Sequence, residues 1–251
     1  MTPPDDRLGR WIAALEATHL AELTFPEVSR ALRALSSAYV ERRAKLAEGA
    51  ALSGAGKRAA FALFYGPLHY VLVREIVRAL PRATPTASTL VDLGCGTGVS
   101  GAAWARACAS TPRILGVDHH PWVLGEAAWT YRTLGLNGRV RHNDMATCIL
   151  PKPPALILAA FAMNELREEA REPLLRRLVD RVALGDRLLV IEPLAGSVAR
   201  WWYTWQGIFL SRGGRADEWR FRVELPSIVS KLDRAAGLDH RELTGRSLWL
   251  G

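Results

Sequence analysis

Residues 89–101 read TLVDLGCGTGVSG, and this stretch constrains the fold of the chain more than any other. A short apolar run ends at Leu93, three glycines follow at alternate positions (Gly94, Gly96, Gly98), and a segment of helical composition comes next. A strand that enters a glycine turn and leaves as a helix is the first half of a βαβ unit. Ligands bind at such turns, on the carboxyl edge of an open parallel sheet. The rhythm continues downstream, where RILGVD, RVRHND, ALILAAFA and RLLVIEP read as strands and the stretches 99–109, 121–135 and 165–184 read as helices. Strand and helix alternating in this way predict an α/β fold with a mostly parallel sheet covered on both faces.

The flanks differ from this core. Residues 7–80 read as helical, with Leu8, Ile12 and Leu15, then Leu32, Leu35 and Tyr39, at three- and four-residue spacing. Thr24 and Glu27 form a capping pattern. A third helix is expected over Lys57–Leu80, kinked or restarted at Gly66-Pro67, and PRATPTAS at 81–88 reads as a linker. Two domains are therefore expected: a helical one over 1–86 and a sheet domain over 87–251. In the second, residues 194–225, rich in Trp, Arg and Gly, read as an insertion after the fifth strand. PSIVSKLDRAAGL follows as a helix, then DHRELTG and RSLWLG as two terminal strands.

At 251 residues and 49% hydrophobic content, the chain can bury one substantial core, or one core and a satellite domain. Its N-terminus has no secretory pattern, and no apolar run reaches the roughly 18 residues of a membrane span. A soluble cytoplasmic protein with no membrane association is the expectation. Three cysteines without a C-x-x-C pair indicate neither a disulfide framework nor a metal site. A net charge of +8 admits a polyanionic partner, but acids are scattered among the bases. On charge alone, a solvated basic surface and an RNA-binding surface are equal readings.

The glycine turn has two spellings. From Asp92 it is D-x-G-x-G-x-G, which suits S-adenosylmethionine (SAM); from Gly96 it is G-x-G-x-x-G, which suits a dinucleotide. The second requires a strand running through Gly94, and glycine is poor inside a strand. The first leaves Asp92 at the strand end, pointing toward the cleft, where a carboxylate would repel a pyrophosphate but suits the ammonium of SAM. Asp118 closes the second strand, where it can accept both ribose hydroxyls, and Asp144 closes the third, near an adenine amino group. The cofactor-binding candidates are Asp92, Gly94, Cys95, Gly96, Gly98, Asp118, His119, Asn143, Asp144 and Met145.

With VDLGCGTG, GVDHH and NDM in place, the chain from about Thr89 to its end resembles the class I SAM-dependent methyltransferases, whose Rossmann-like fold it is expected to share. YVERRAKL, GKRAAFALFYGPLHYV, AFAMNEL, VIEP and ELTGRSLWL further resemble a methyltransferase-like family associated with the small ribosomal subunit in bacteria and mitochondria. That resemblance implies rRNA of the small subunit, or the subunit itself, as partner. Mitochondrial relatives hold an iron–sulfur centre on a cysteine cluster that this sequence lacks, so no metal-dependent role follows.

The chemistry is expected at the end of the fourth strand, which faces the methyl group in this fold. There Asn164 could orient an acceptor nitrogen and Glu165 accept its proton. In the alternative reading, Asn164 caps a helix starting at Glu165. Trp201, Arg212 and Arg215 are candidates for substrate contact, because aromatics interleaved with arginines can stack bases and pair phosphates. Tyr65 and His69 join them because they lie just upstream of the first strand, where methyltransferases of this kind often fold a helix over the SAM pocket. A small-molecule methyltransferase with a helical lid, and a SAM-binding assembly factor without turnover, are the competing readings.

Overall fold

The structure, a computed structural model, describes residues 6–41, 52–81, 83, 87–194 and 200–251. YVERRAKL from residue 42 onward and most of the linker at 82–86 lie outside these residues. Two compact units make up the chain: Met1–Val71 with Arg222–Leu243, and Leu72–Phe221 with Thr244–Gly251.

The helical unit contains α1 (Asp6–His19) and α2 (Phe25–Glu41). The start of α2 is fixed by Thr24, whose backbone N–H and hydroxyl both donate to Glu27 Oε2, at 2.8 and 2.7 Å. The next helix runs as α3 (Ala55–Ala60), a π turn (Phe61–Tyr65) and α4 (Gly66–Ala79). Here the expected kink becomes a widening. Pro67 has no N–H and its ring would meet the carbonyl of residue 63 in an α-helix. The π turn relieves this conflict, with the Gly66 N–H bonding back to Phe61 O. The whole stretch Ala55–Ala79 is 25 residues long and, at a hydropathy of 1.2, long and apolar enough to cross a membrane by length and composition, contrary to the expectation from uninterrupted apolar runs. Its apolar window is 72% buried within the protein, as a core helix is.

The sheet unit has seven strands in the order β3-β2-β1-β4-β5-β7-β6. They are β1 (Thr89–Leu93), β2 (Arg113–Asp118), β3 (Gly138–His142), β4 (Leu156–Ala160), β5 (Arg187–Glu192), β6 (Arg215–Phe221) and β7 (Leu243–Leu250). The first five are parallel, and β7 runs antiparallel to β5. Helices α5 (Val99–Ala107), α6 (Pro121–Thr133) and α7 (Glu168–Ala183) connect the parallel strands, and α8 (Arg200–Ser211) follows β5. Central β4 is buried at every position, as a strand covered on both faces must be, whereas edge strand β3 exposes Arg139, Arg141 and His142.

Two expectations are corrected here. The terminal strands read at DHRELTG and RSLWLG are one strand, β7, and the missing strand, β6, lies inside 194–225. Its sequence RADEWRF is too charged to signal a strand, yet it is an edge strand, where such side chains reach solvent. Trp219 and Phe221, two residues apart on one face, stack at 5.7 Å, and the Trp219 indole donates to Ser247 Oγ on β7 at 2.8 Å. The segment therefore supplies α8 and the sheet edge, with Trp202, Trp205 and Phe209 in the same core as Val190, Leu248 and Leu250. The element set into the sheet sequence is α9 (Ser227–Ala236), which buries Ile228, Val229 and Leu232 and packs on α2 and the π turn. The units thus divide inside α4, at Val71, and the helical one takes in Arg222–Leu243, a different partition from a break at 86.

Candidate active site

The glycine turn leaves β1 at Leu93, the register in which Gly94 opens the turn. The Gly94 and Cys95 N–H groups both donate to Val117 O on β2, at 2.9 and 3.0 Å. Gly94, Gly96 and Gly98 all have positive φ, and two of them are also crowded. A Cβ on Gly94 would lie 2.5 Å from Ala162 Cβ and 3.1 Å from Met145 Sδ, so the ends of β3 and β4 both converge on the turn. A Cβ on Gly98 would lie 2.8 Å from the Tyr131 ring, while one on Gly96 would face open space.

Asp92 lies beneath this turn rather than on the cleft surface, only 1% exposed. The reason is local: Gly101 sits in the first turn of α5, whose N–H groups have no partner within the helix, and it donates to Asp92 Oδ2 at 2.9 Å. A Cβ at Gly101 would strike that oxygen at 2.6 Å, which makes Gly101 a packing residue. Asp92 Oδ1 is buried without a hydrogen-bond partner. Burial, with the charge of Asp118 adding to it, raises this carboxyl to about 7 against the pull of the Gly101 bond.

Asp118 holds the turn from the second strand, accepting from Gly96 N–H at 3.0 Å and His120 N–H at 2.9 Å. Its side chain keeps 12% exposure, and each oxygen retains a lone-pair site. The two histidines beside it divide their work. His120 caps α6, its Nδ1 accepting from Trp122 N–H at 3.2 Å, while exposed His119 stands with Nδ1 3.9 Å from Asp118 Oδ1. On the third strand's end, Asn143 N–H donates to Asp118 O at 3.0 Å, and exposed Asp144 accepts Ala146 N–H at 2.7 Å. Met145 is buried against Gly94. The Cys95 thiol is buried, and that burial pushes its pKa well up, which removes it as a nucleophile.

A buried acceptor lacking a donor, a strand-end carboxylate with spare lone pairs and an open glycine fit a cationic sulfonium nucleoside. The family comparison agrees: residues 90–185 match the methyltransferase domain family. Residues 90–185 are a SAM-dependent methyltransferase domain. Solved structures with a similar fold include a SAM-dependent methyltransferase from Aquifex aeolicus (19% identity, 74% of this chain and 93% of that chain, TM-score 0.49). Magnesium protoporphyrin IX methyltransferase from Synechocystis, with bound SAM, is 14% identical over 73% of this chain and 80% of its own, with a TM-score of 0.48. The N-methyltransferase NodS from Bradyrhizobium japonicum, with bound S-adenosylhomocysteine, is 17% identical over 72% and 85%, with a TM-score of 0.46. Among curated proteins none matches the chain.

When bound, SAM would supply an electrophilic sulfonium methyl; the candidates for the transfer chemistry lie in the residues after β4. Phe161 takes a positive φ of 59° and its N–H donates to Ile191 O, and Met163–Glu165 then form a single 3-10 turn. This changes the reading of Asn164, which neither caps a helix nor stands free. α7 begins at Glu168 with Arg167 as its cap. Asn164 Nδ2 donates to Glu192 Oε2 at 2.6 Å, and its Oδ1 accepts from Trp201 Nε1 at 3.1 Å. Glu165 ends the turn with its side chain reaching solvent, and desolvation by the surrounding protein, then the charge of Asp118, raises its carboxyl to about 7.

Of the substrate candidates, Trp201 reaches Asn164. Arg212 is exposed at the end of α8, and Arg215 pairs with Asp217 at 2.7 Å. Tyr65 and His69 belong to the helical unit, their rings 5.9 Å apart. Burial, reinforced by His240, lowers His69 to about 4, so its ring is neutral. The sequence reading missed Glu192 as a site residue. Its signal was an acid at the carboxyl end of an apolar strand, the same one that marks Asp92 and Asp118.

Proposed function

We propose that this methyltransferase acts on RNA, and specifically on rRNA of the small ribosomal subunit. The observation that carries the reading is the exposed edge strand β3. Arg139, Arg141 and His142 face solvent on the strand that leads directly into the cofactor loop at Asn143–Met145. The two arginines placed there, on a chain of net charge +8, suit a phosphate backbone. The resemblance of AFAMNEL, VIEP and ELTGRSLWL to the family associated with the small ribosomal subunit supports the same acceptor. The Trp-rich segment supports it less, because Trp202 and Trp205 are core residues and Arg215 and Arg222 pair with Asp217 and Glu242.

Transfer is chiefly positional, since displacement at a sulfonium methyl needs an acceptor held in line. Where the acceptor must lose a proton, Glu165 takes it. The test is incubation with methyl-labelled SAM and total RNA. Label in small-subunit rRNA supports the proposal, and label only in low-molecular-weight material overturns it in favour of a small-molecule acceptor.

A further inference from the structure

We infer that Glu192 is a positioning residue for methyl transfer, acting through Asn164 and Trp201 to set the loop between β4 and α7. Glu192 is the last residue of β5 and only 1% exposed. Its two oxygens are committed to this loop: Oε1 accepts Met163 N–H at 2.9 Å and Oε2 accepts the Asn164 amide at 2.6 Å. Two further side chains clamp the same turn. Arg171 donates from Nε to Met163 O at 3.0 Å and lies over the Trp201 ring at 5.2 Å, and Trp201 donates to Asn164. A backbone at positive φ persists only where its surroundings over-determine it, and Phe161 enters this turn at 59°.

The direction of the hydrogen bonds follows from chemistry. An indole N–H can only donate, so Asn164 must turn its oxygen to Trp201 and its NH2 to residue 192. Residue 192 must therefore accept, and accept with both of its terminal atoms, since Met163 N–H also points to it. A carboxyl group meets that demand, ionised or with its one proton turned away from both donors, and a carboxamide cannot. Burial is the largest influence on Glu192 and raises its carboxyl to about 8, against the Met163 and Asn164 bonds and the charge of Arg246, its partner across β7. Such a group is costly to bury, and it holds a loop that abuts Gly94 of the cofactor turn through Ala162. Trp201 is correspondingly engaged: besides Arg171 and Asn164 it packs edge-on against Trp202 and Trp205, with centroids 5.6 and 5.1 Å away.

Swapping donor and acceptor tests this. In Glu192→Gln, the new NH2 faces the Asn164 NH2. In Asn164→Asp, two carboxylates face each other at a pH above about 8, where Glu192 is ionised; below it Glu192 donates its proton to the new carboxylate and keeps the bond, so the variants are compared above that pH. In the double variant, the carboxylate introduced at position 164 accepts from both Trp201 and the carboxamide introduced at position 192. That carboxamide's oxygen still accepts Met163 N–H, so the chain of bonds is whole again. Each single variant should transfer methyl groups to RNA about 10- to 100-fold more slowly, the scale of a small misplacement, with SAM affinity within about threefold of the native protein, since the cofactor turn is not touched. The double variant should recover most of the rate. The Trp201 indole N–H signal in the NMR spectrum of 15N-labelled protein, assigned by Trp201→Phe, should shift in each single variant and return in the double. This second readout needs no acceptor, so it decides the inference even if native protein leaves RNA unlabelled and the acceptor reading fails. Unshifted indole signals in the single variants, or a double variant as slow as the singles, would overturn the inference.

Discussion

Replacing Asp92 by Asn should make the protein more stable at neutral pH and a poorer SAM binder. The folded carboxyl sits at about 7 against an ordinary value of 3.8, so the folded chain holds this proton more tightly than the unfolded chain does. Stability linked to Asp92 is therefore fully present below pH 3.8, drains away as pH rises, and is exhausted near 7. At about 1.4 kcal/mol per unit, that interval amounts to a loss of about 4 kcal/mol, which Asn, having no charge to bury, does not suffer. Asn keeps an oxygen for Gly101 N–H, so the α5 anchor survives. In the native protein, a cationic ligand that needs the ionised form must first displace the proton. SAM affinity should accordingly rise about tenfold per unit from about pH 5.5 toward 7 and then level, whereas the variant should bind weakly and without this slope. Melting curves with and without SAM, and calorimetric titrations over the same pH series, give both quantities. Parallel stability profiles for the two proteins, or equal SAM affinity at about pH 8, would refute the reasoning.

Asp118→Ala removes the acceptor for Gly96 and His120 N–H and should weaken SAM about 10- to 100-fold, on the scale of bonds to a charged group; a titration showing an unchanged Kd would reject its role. Gly94→Ala and Gly96→Ala separate crowding from access. The first meets Ala162 at 2.5 Å and should cost about 1–3 kcal/mol in a denaturant melt; the second meets nothing, so its loss should be smaller in stability than in SAM binding. For an acceptor that must lose a proton, transfer should increase as pH rises through about 7, where Glu165 ionises, and Glu165→Gln should remove that rise. A pH–rate profile identical in the two proteins would exclude Glu165 as the base.

The parts of the fold legible in the sequence are those whose signals are local. β1, β2, β4 and β5 are apolar runs because both faces are covered, and the turn's register follows from glycine's poor fit inside a strand. Asp118 was readable because it closes a strand in that pattern. β6 was not, since an edge strand carries the charges that usually mark a loop. The π turn was not, since Pro67 signals a disruption without saying which kind. The Glu192–Asn164 bond joins residues 28 apart in the chain, and only the pairing of β4 with β5 brings them together. The inward turn of Asp92 depended likewise on a helix amide at Gly101, nine residues on.

The central claim is that the glycine turn and its strand-end acids hold SAM. Calorimetric titration of the native protein with SAM, with NAD as the control, tests it most directly. One SAM per chain with no detectable NAD binding is the expected result. Binding of NAD, or no heat with SAM, would contradict the account.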